Sequence, residues 1–247
     1  MSRWKAGGIH LSISLLIAAL VGSIIYFVWY PPPYFTVAGG NKLMLLIMGV
    51  DIVIGPLLTF AVYKAGKRGL KFDLAVIALL QATAFCYGLT VIAESRPIFI
   101  VLAVHRFMPV YANQMEDADL AAAKPEFSKR SWTGPVLVGV RIPSDAKERD
   151  DLLVSGVAGK DVDKYPKYYV PYAEVEDDAL ARGKPLSDLA ARSGKLKSTI
   201  DTFVARDKLD LNELIYLPLV GRTRIYTMVI SKITKRPAGV LDIDPPE

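Results

Sequence analysis

Three long apolar runs dominate the N-terminal part of this chain: His10 to Tyr30, Leu43 to Tyr63 and Leu74 to Ala93. Each matches the ~20 residues that a helix needs to cross ~30 Å of hydrocarbon. Everything after Arg96 is polar enough to form a soluble domain. The expected fold class is therefore a membrane protein. Three transmembrane α-helices (residues 1–95) precede an α+β domain (residues 96–247) large enough to bury one core.

Charge in the short loops predicts the orientation. Arg3 and Lys5 precede the first run, and Lys64, Lys67, Arg68 and Lys71 lie between the second and third. Basic residues flanking short loops favour the cytoplasmic side. The segment Tyr30 to Lys42 has one lysine at its edge and carries Pro31-Pro32-Pro33 and Gly39-Gly40. The N-terminus is thus expected inside and the C-terminal domain outside, which in a bacterium is the periplasm. Trp29, Tyr30 and Tyr34 suit an aromatic belt at the outer interface. The first run reads as an uncleaved anchor, because Phe27, Trp29 and Tyr30 stand where a signal peptide needs small residues. Cys86, the sole cysteine, falls within the third run, so no disulfide is expected in the outer domain. The formal net charge of +5 owes much to the inner loop. Nucleic-acid binding is not expected.

Asp51 is the most pointed residue. At 1.5 Å per residue it lies about 13 Å from Lys42 and about 20 Å from Lys64 along a helix. An ionisable group at that depth costs at least ~2.5 kcal/mol unless it faces protein, which makes it a functional candidate. Gly49, Gly55 and Pro56 permit close helix contact or a local kink. Two readings stand side by side. Asp51 is a hydrogen-bonded strut between helices, with Thr83 and Tyr87 at the matching depth of the third helix, or it meets a polar group on a partner's helix. Gln81 is expected to hydrogen-bond between helices. An intramembrane aspartyl protease needs a second carboxylate in the same site. Asp73 lies at the inner surface instead, where it suits a helix cap.

In the outer domain, Pro97 to Val104 predicts a first strand, rich in β-branched and aromatic residues. Helical patterns follow at Asn113 to Ala123, Asp145 to Ser155, Glu174 to Arg182, Pro185 to Arg192 and Leu196 to Arg206. Strands are expected at Pro135 to Ile142, Glu213 to Val220, Arg224 to Lys232 and Ala238 to Ile243. The prolines of Asp161 to Tyr172 exclude a helix and point to an ordered loop or edge segment. Its tyrosines, Tyr165, Tyr168, Tyr169 and Tyr172, offer large contact area with polar tips, which suits a protein interface. About half of them are expected to pack beneath the loop instead.

No glycine-rich phosphate loop, metal-ligand cluster or G-x-S-x-G motif occurs. His105, the single histidine of the outer domain, reads as structural or surface. No enzymatic activity and no cofactor are expected.

Several motifs resemble the type IV pilin accessory proteins of the TfpX/TfpZ kind. They are Met1-Ser2-Arg3-Trp4-Lys5-Ala6 with Gly8-Ile9-His10-Leu11, Gly49-Val50-Asp51 with Gly55-Pro56-Leu57-Leu58, and the stretch Leu70-Lys71-Phe72-Asp73-Leu74 running on to Gln81. Arg96-Pro97, Tyr168-Tyr169-Val170-Pro171-Tyr172 and Leu217-Pro218-Leu219-Val220-Gly221-Arg222 extend the resemblance along most of the chain. It implies a bacterial inner-membrane protein, multi-pass, with a periplasmic C-terminal domain. It implies a chaperone-like role toward the cognate type IV major pilin in stability or assembly, and an influence on pilus extension and retraction. The partners so implied are the major pilin and the lipid bilayer. On this reading Asp51, Gly55, Pro56, Tyr168, Tyr169 and Tyr172 are the candidate partner-binding residues, with Asp51 near the pilin's N-terminal amine. Where relatives are expected to carry an acid, this chain has His105. The alternative is a membrane-anchored periplasmic ligand sensor, disfavoured by the short cytoplasmic segments.

Overall fold

The apolar runs fold as helices that begin earlier than their hydropathy alone suggests. The computed structural model describes residues 2–246. It divides into two compact units, Met1–Arg96 and Pro97–Glu247. In the first, α1 spans Arg3–Ile24 and continues as a π-helical turn, Ile25–Trp29. The short α2 (Tyr34–Val37) leads into α3 (Gly40–Val62) and then α4 (Leu70–Glu94). Among the described residues these are three helices long and apolar enough to cross a membrane. Ser2 caps α1 by accepting the Lys5 amide at 3.3 Å. The helix thereby takes in Arg3 and Lys5, residues that the run of hydrophobicity omits.

Helix α3 is the central element, packed against α1 on one side and α4 on the other. It runs through Pro56 without a break, although the ring removes one backbone donor. Small residues let the helices approach. A Cβ on Gly7 of α1 would sit 3.4 Å from Phe60 and 3.5 Å from the Pro56 carbonyl. A Cβ on Gly88 of α4 would meet Ile47 at 2.9 Å. Two expectations need correction here. Tyr30 does not stand at a lipid interface: it is fully buried, and its hydroxyl donates to the Ile92 carbonyl at 2.7 Å. Asp73 does not cap α4. Gly69 occupies the cap with φ +83°, and Asp73 lies in the first turn, paired with Lys67 at 2.6 Å.

The second unit is an eight-stranded mixed sheet with helices. Strands β1 (Pro97–Ala103) and β2 (Arg106–Tyr111) form an antiparallel hairpin. After α5 (Asp117–Ala121), β3 (Val136–Val140) lies parallel to β1. Helix α6 (Ala146–Val157) precedes β4 (Tyr169–Pro171), which pairs antiparallel with β3. Then come α7 (Glu176–Arg182), the two-residue β5 (Lys184–Pro185), α8 (Leu186–Ala191) and α9 (Gly194–Asp207). Three antiparallel strands complete the sheet: β6 (Leu214–Val220), β7 (Ile225–Ser231) and β8 (Pro237–Leu241). The order is β4-β3-β1-β2-β6-β7-β8, with β5 pairing to β6.

The two halves of this sheet meet at a thin seam, where β2 and β6 share the single register pair Phe107 and Leu219. Each half carries its own core. One gathers Ile98, Phe99, Val101, Val110, Val138 and Tyr169. The other gathers Leu186, Leu189, Ile200, Phe203, Leu214 and Val229. Every residue of β1 is buried, as befits a strand covered on both faces. In α9, Leu196, Ile200, Phe203 and Val204 recur at helical spacing and turn one apolar stripe to the core. Full burial of Ile200 and Phe203 contributes about 1.5–3 kcal/mol each. Strand β2 was not expected from the sequence, and the segment Asn113 to Ala123 is helical only in α5 and a preceding single turn.

Candidate functional site

Asp51 occupies the middle of α3, the helix that touches both neighbours. Around it α1 contributes His10, Ile13, Ser14, Ile17 and Ala18, and α4 contributes Ala78, Gln81, Ala82, Phe85 and Cys86. Together they line an open groove of about 290 Å³ with Asp51 and Met48 in its wall. A second hollow of about 200 Å³ lies on the α3–α4 side of Asp51, between Leu43, Ile47 and Gly88. Both are overwhelmingly apolar, so the few polar groups define what they can bind.

Those groups fall into two sets. His10 Nδ1 and Thr59 Oγ1 share a hydrogen bond of 2.6 Å that links α1 to α3 and leaves the other ring nitrogen of His10 out of that contact. Asp51 Oδ1 and Gln81 Oε1 are buried without a hydrogen-bond partner. Gln81 lies against α3 at Gly55, one turn from Asp51. A Cβ there would fall 1.8 Å from the Gln81 amide nitrogen, so a side chain at 55 would displace the end of Gln81. Gly55 is thus occupied from within the unit, and Pro56 presents its carbonyl toward Gly7 of α1. Thr83 and Tyr87 do not serve Asp51. The Thr83 hydroxyl donates to its own helix at Leu79, and Tyr87 is largely exposed. Tyr87 does border the 200 Å³ hollow that Asp51 also lines.

The sequence reading assigned His10 no role and gave Gln81 only a generic one. Their signal lies in the antiparallel register of α1 on α3, which sets His10 opposite Thr59. That register is visible once Gly7 is matched with Phe60.

In the second unit the tyrosine segment divides. Tyr169 is fully buried, its ring edge-on to Phe99 at 5.1 Å and its hydroxyl donating to the Asp163 carbonyl. Tyr172 is buried too, with its hydroxyl 3.1 Å from the Lys235 carbonyl. Burial pushes the Tyr172 hydroxyl up to about 12 and raises Tyr169 further. These two belong to the core and present no contact area. Tyr168 and Tyr165 remain half-exposed, their rings 6.2 Å apart, with Lys167 and Lys160 over the faces of Tyr168 and Tyr165. His105 is exposed in the β1–β2 turn.

Residues 1–39 match the family described as "Fimbrial assembly protein FimB". The whole chain is similar to a fimbrial assembly protein of serogroup I from Dichelobacter nodosus, 33% identical over 97% of this chain and 95% of that protein. A serogroup E1 counterpart from the same organism is 31% identical over the same shares. A third relative, of serogroups C1 and C2, is 45% identical over 39% of this chain and 76% of its own length. No solved structure matches.

Proposed function

The chain belongs to the fimbrial assembly protein family, and from that premise we propose that it is a non-enzymatic accessory protein of type IV fimbrial biogenesis that binds its cognate major pilin. Within the family we assign it to the TfpX/TfpZ pilin accessory proteins, on the motifs around Asp51, Gln81 and Tyr168. It resides in the bacterial inner membrane with the second unit in the periplasm, as the lysines of the α3–α4 loop favour. Its action is chaperone-like: it promotes pilin stability or assembly and so alters the balance of pilus extension and retraction. The observation that carries this reading is the full-length likeness to fimbrial assembly proteins, which spans helices and sheet together. A pilin waiting in the membrane has an apolar helix and a globular head, and a chain with both kinds of unit matches both parts.

The experiment is a detergent co-purification of the tagged protein from piliated cells, with mass spectrometry of what accompanies it. Major pilin is expected in near-stoichiometric amount. Its absence, from cells that make it abundantly, would sink the reading.

A further inference from the structure

Strands β1 and β3 lie side by side and parallel, so their carboxyl ends meet at one end of the sheet. From there the chain departs in opposite directions. β1 turns back into β2 on one side, and β3 leads by way of α6 to β4 on the other. Adjacent parallel strands whose connections diverge leave a crevice beyond their carboxyl ends, and such crevices are where open sheets bind ligands. An open hollow of about 230 Å³ lies at this place. Leu102 and Val104 line it from the β1 side, Arg141 and Ile142 from the β3 side, and Val175 and Arg182 from the α7 side. Its walls are tied to the sheet. Val175 is buried where Gly139 leaves room, since a Cβ on Gly139 would fall 2.1 Å from it. The Arg141 amide donates to the Tyr168 carbonyl at 3.0 Å, and its guanidinium donates to the Glu174 carbonyl at 2.8 Å. That bond leaves most of the guanidinium's N–H donors over. Among the described residues neither Arg141 nor Arg182 is ion-paired with a carboxylate. Asp178 also lines the hollow, so two guanidiniums stand against one carboxylate and a positive charge is left in excess.

We propose that this hollow binds a carboxylate carried beside an aliphatic side chain, as at the free C-terminus of a peptide or in a small acyl amino acid. Arg182 and Arg141 hold the carboxylate, because the planar guanidinium fork matches it through parallel charge-assisted hydrogen bonds. Val104 and Ile142, both exposed at the rim, supply the apolar contact next to that charge. The hollow is smaller than the ~300–1,000 Å³ of pockets that take drug-sized ligands, so a group of residue size is the fit. The proposal does not draw on the pilin-binding reading and stands or falls apart from it.

The test uses the full chain in detergent and a fluorescently labelled tetrapeptide, three alanines ending in leucine, read by anisotropy against empty micelles. The free acid is expected to bind, and the same peptide with a C-terminal amide to bind about tenfold or more weakly, as the loss of charge-assisted hydrogen bonds implies. Arg182→Gln, at an exposed position of α7, should weaken the acid by a similar factor. Arg206→Gln, exposed on α9 and outside the lining, should leave it unchanged. Competition with N-acetyl-leucine identifies the source of the carboxylate. Displacement by it as efficient as by unlabelled peptide supports the site with a small acid as ligand, and displacement by the peptide alone supports it with a chain terminus. Acid and amide that bind alike would overturn the carboxylate, and that comparison needs no variant to fold. No binding of the acid at millimolar concentration, or an Arg182→Gln variant that binds as wild type does, would overturn the site.

Discussion

Single residues in the second unit already separate packing from surface roles. Tyr169→Phe removes one buried hydroxyl bond and should cost about 1 kcal/mol, while Tyr169→Ala empties a core position and should cost about 3–5 kcal/mol. Tyr168→Ala should cost about 1 kcal/mol or less, since its ring is half-exposed. Thermal unfolding of the three variants checks the order, and equal costs at 168 and 169 would contradict the assignment of core and surface. Asp163 gives a pH prediction. It is buried, and burial first, then the neighbouring Asp161, raises its carboxyl above the usual range. Folding therefore disfavours the charged form. The protonated state's advantage is fully present below the unfolded value of about 3.9 and is lost as pH rises through the higher folded value. Asp163→Asn should accordingly unfold at higher denaturant than wild type at neutral pH, with the gap closing as pH falls toward that value. A gap that widens in acid would contradict the sign. The sequence marks the tyrosines as a group but not which of them pack, because the alternation that buries one tyrosine and exposes its neighbour depends on which sheet the segment joins. Asp51 was legible for the opposite reason: an acid within an apolar run stands out before any packing is known.

At the level of elements, periodicity located α3, α4, α6 to α9, and β1, β3, β6, β7 and β8 within a few residues, and α1 with a start seven residues late. It missed β2 because the β1–β2 turn carries none of the usual turn residues. The turn is centred on Val104, at φ +57°, with the His105 amide donating to the Ala103 carbonyl at 2.7 Å. A turn of this kind is rare and strained, and a β-branched residue is poorly suited to positive φ. Val104→Asn supplies a residue that tolerates this conformation, and Val104 is already 39% exposed. The variant should be more stable by about 1 kcal/mol, read as a raised unfolding midpoint. A destabilised variant would show that Val104 packs more than its exposure implies. Gly139 tests β3 in the other direction. A Cβ there would lie 2.1 Å from Val175, so Gly139→Ala should cost about 1–3 kcal/mol by overpacking.

For the whole molecule, the division at Arg96–Pro97 predicts that residues 97–247 expressed alone melt in one cooperative transition, since both cores lie entirely within that unit. A broad, non-cooperative melt would mean that the helices complete the fold. The orientation is checked separately: an alkaline phosphatase reporter should be active after residue 247 and inactive after Lys67. The arrangement of the sheet was not legible in advance, because strand order depends on pairings between distant segments, and the seam between β2 and β6 rests on one register pair. The sheet's two margins bear on how this molecule behaves in company. The outer strands β4 and β8 each carry a proline, Pro171 at the end of one and Pro237 at the start of the other. A proline offers no backbone donor, and β4 is only three residues long. Both rims are therefore weakened as templates for strand addition. A strand laid along either margin would find fewer backbone donors than an uninterrupted edge offers.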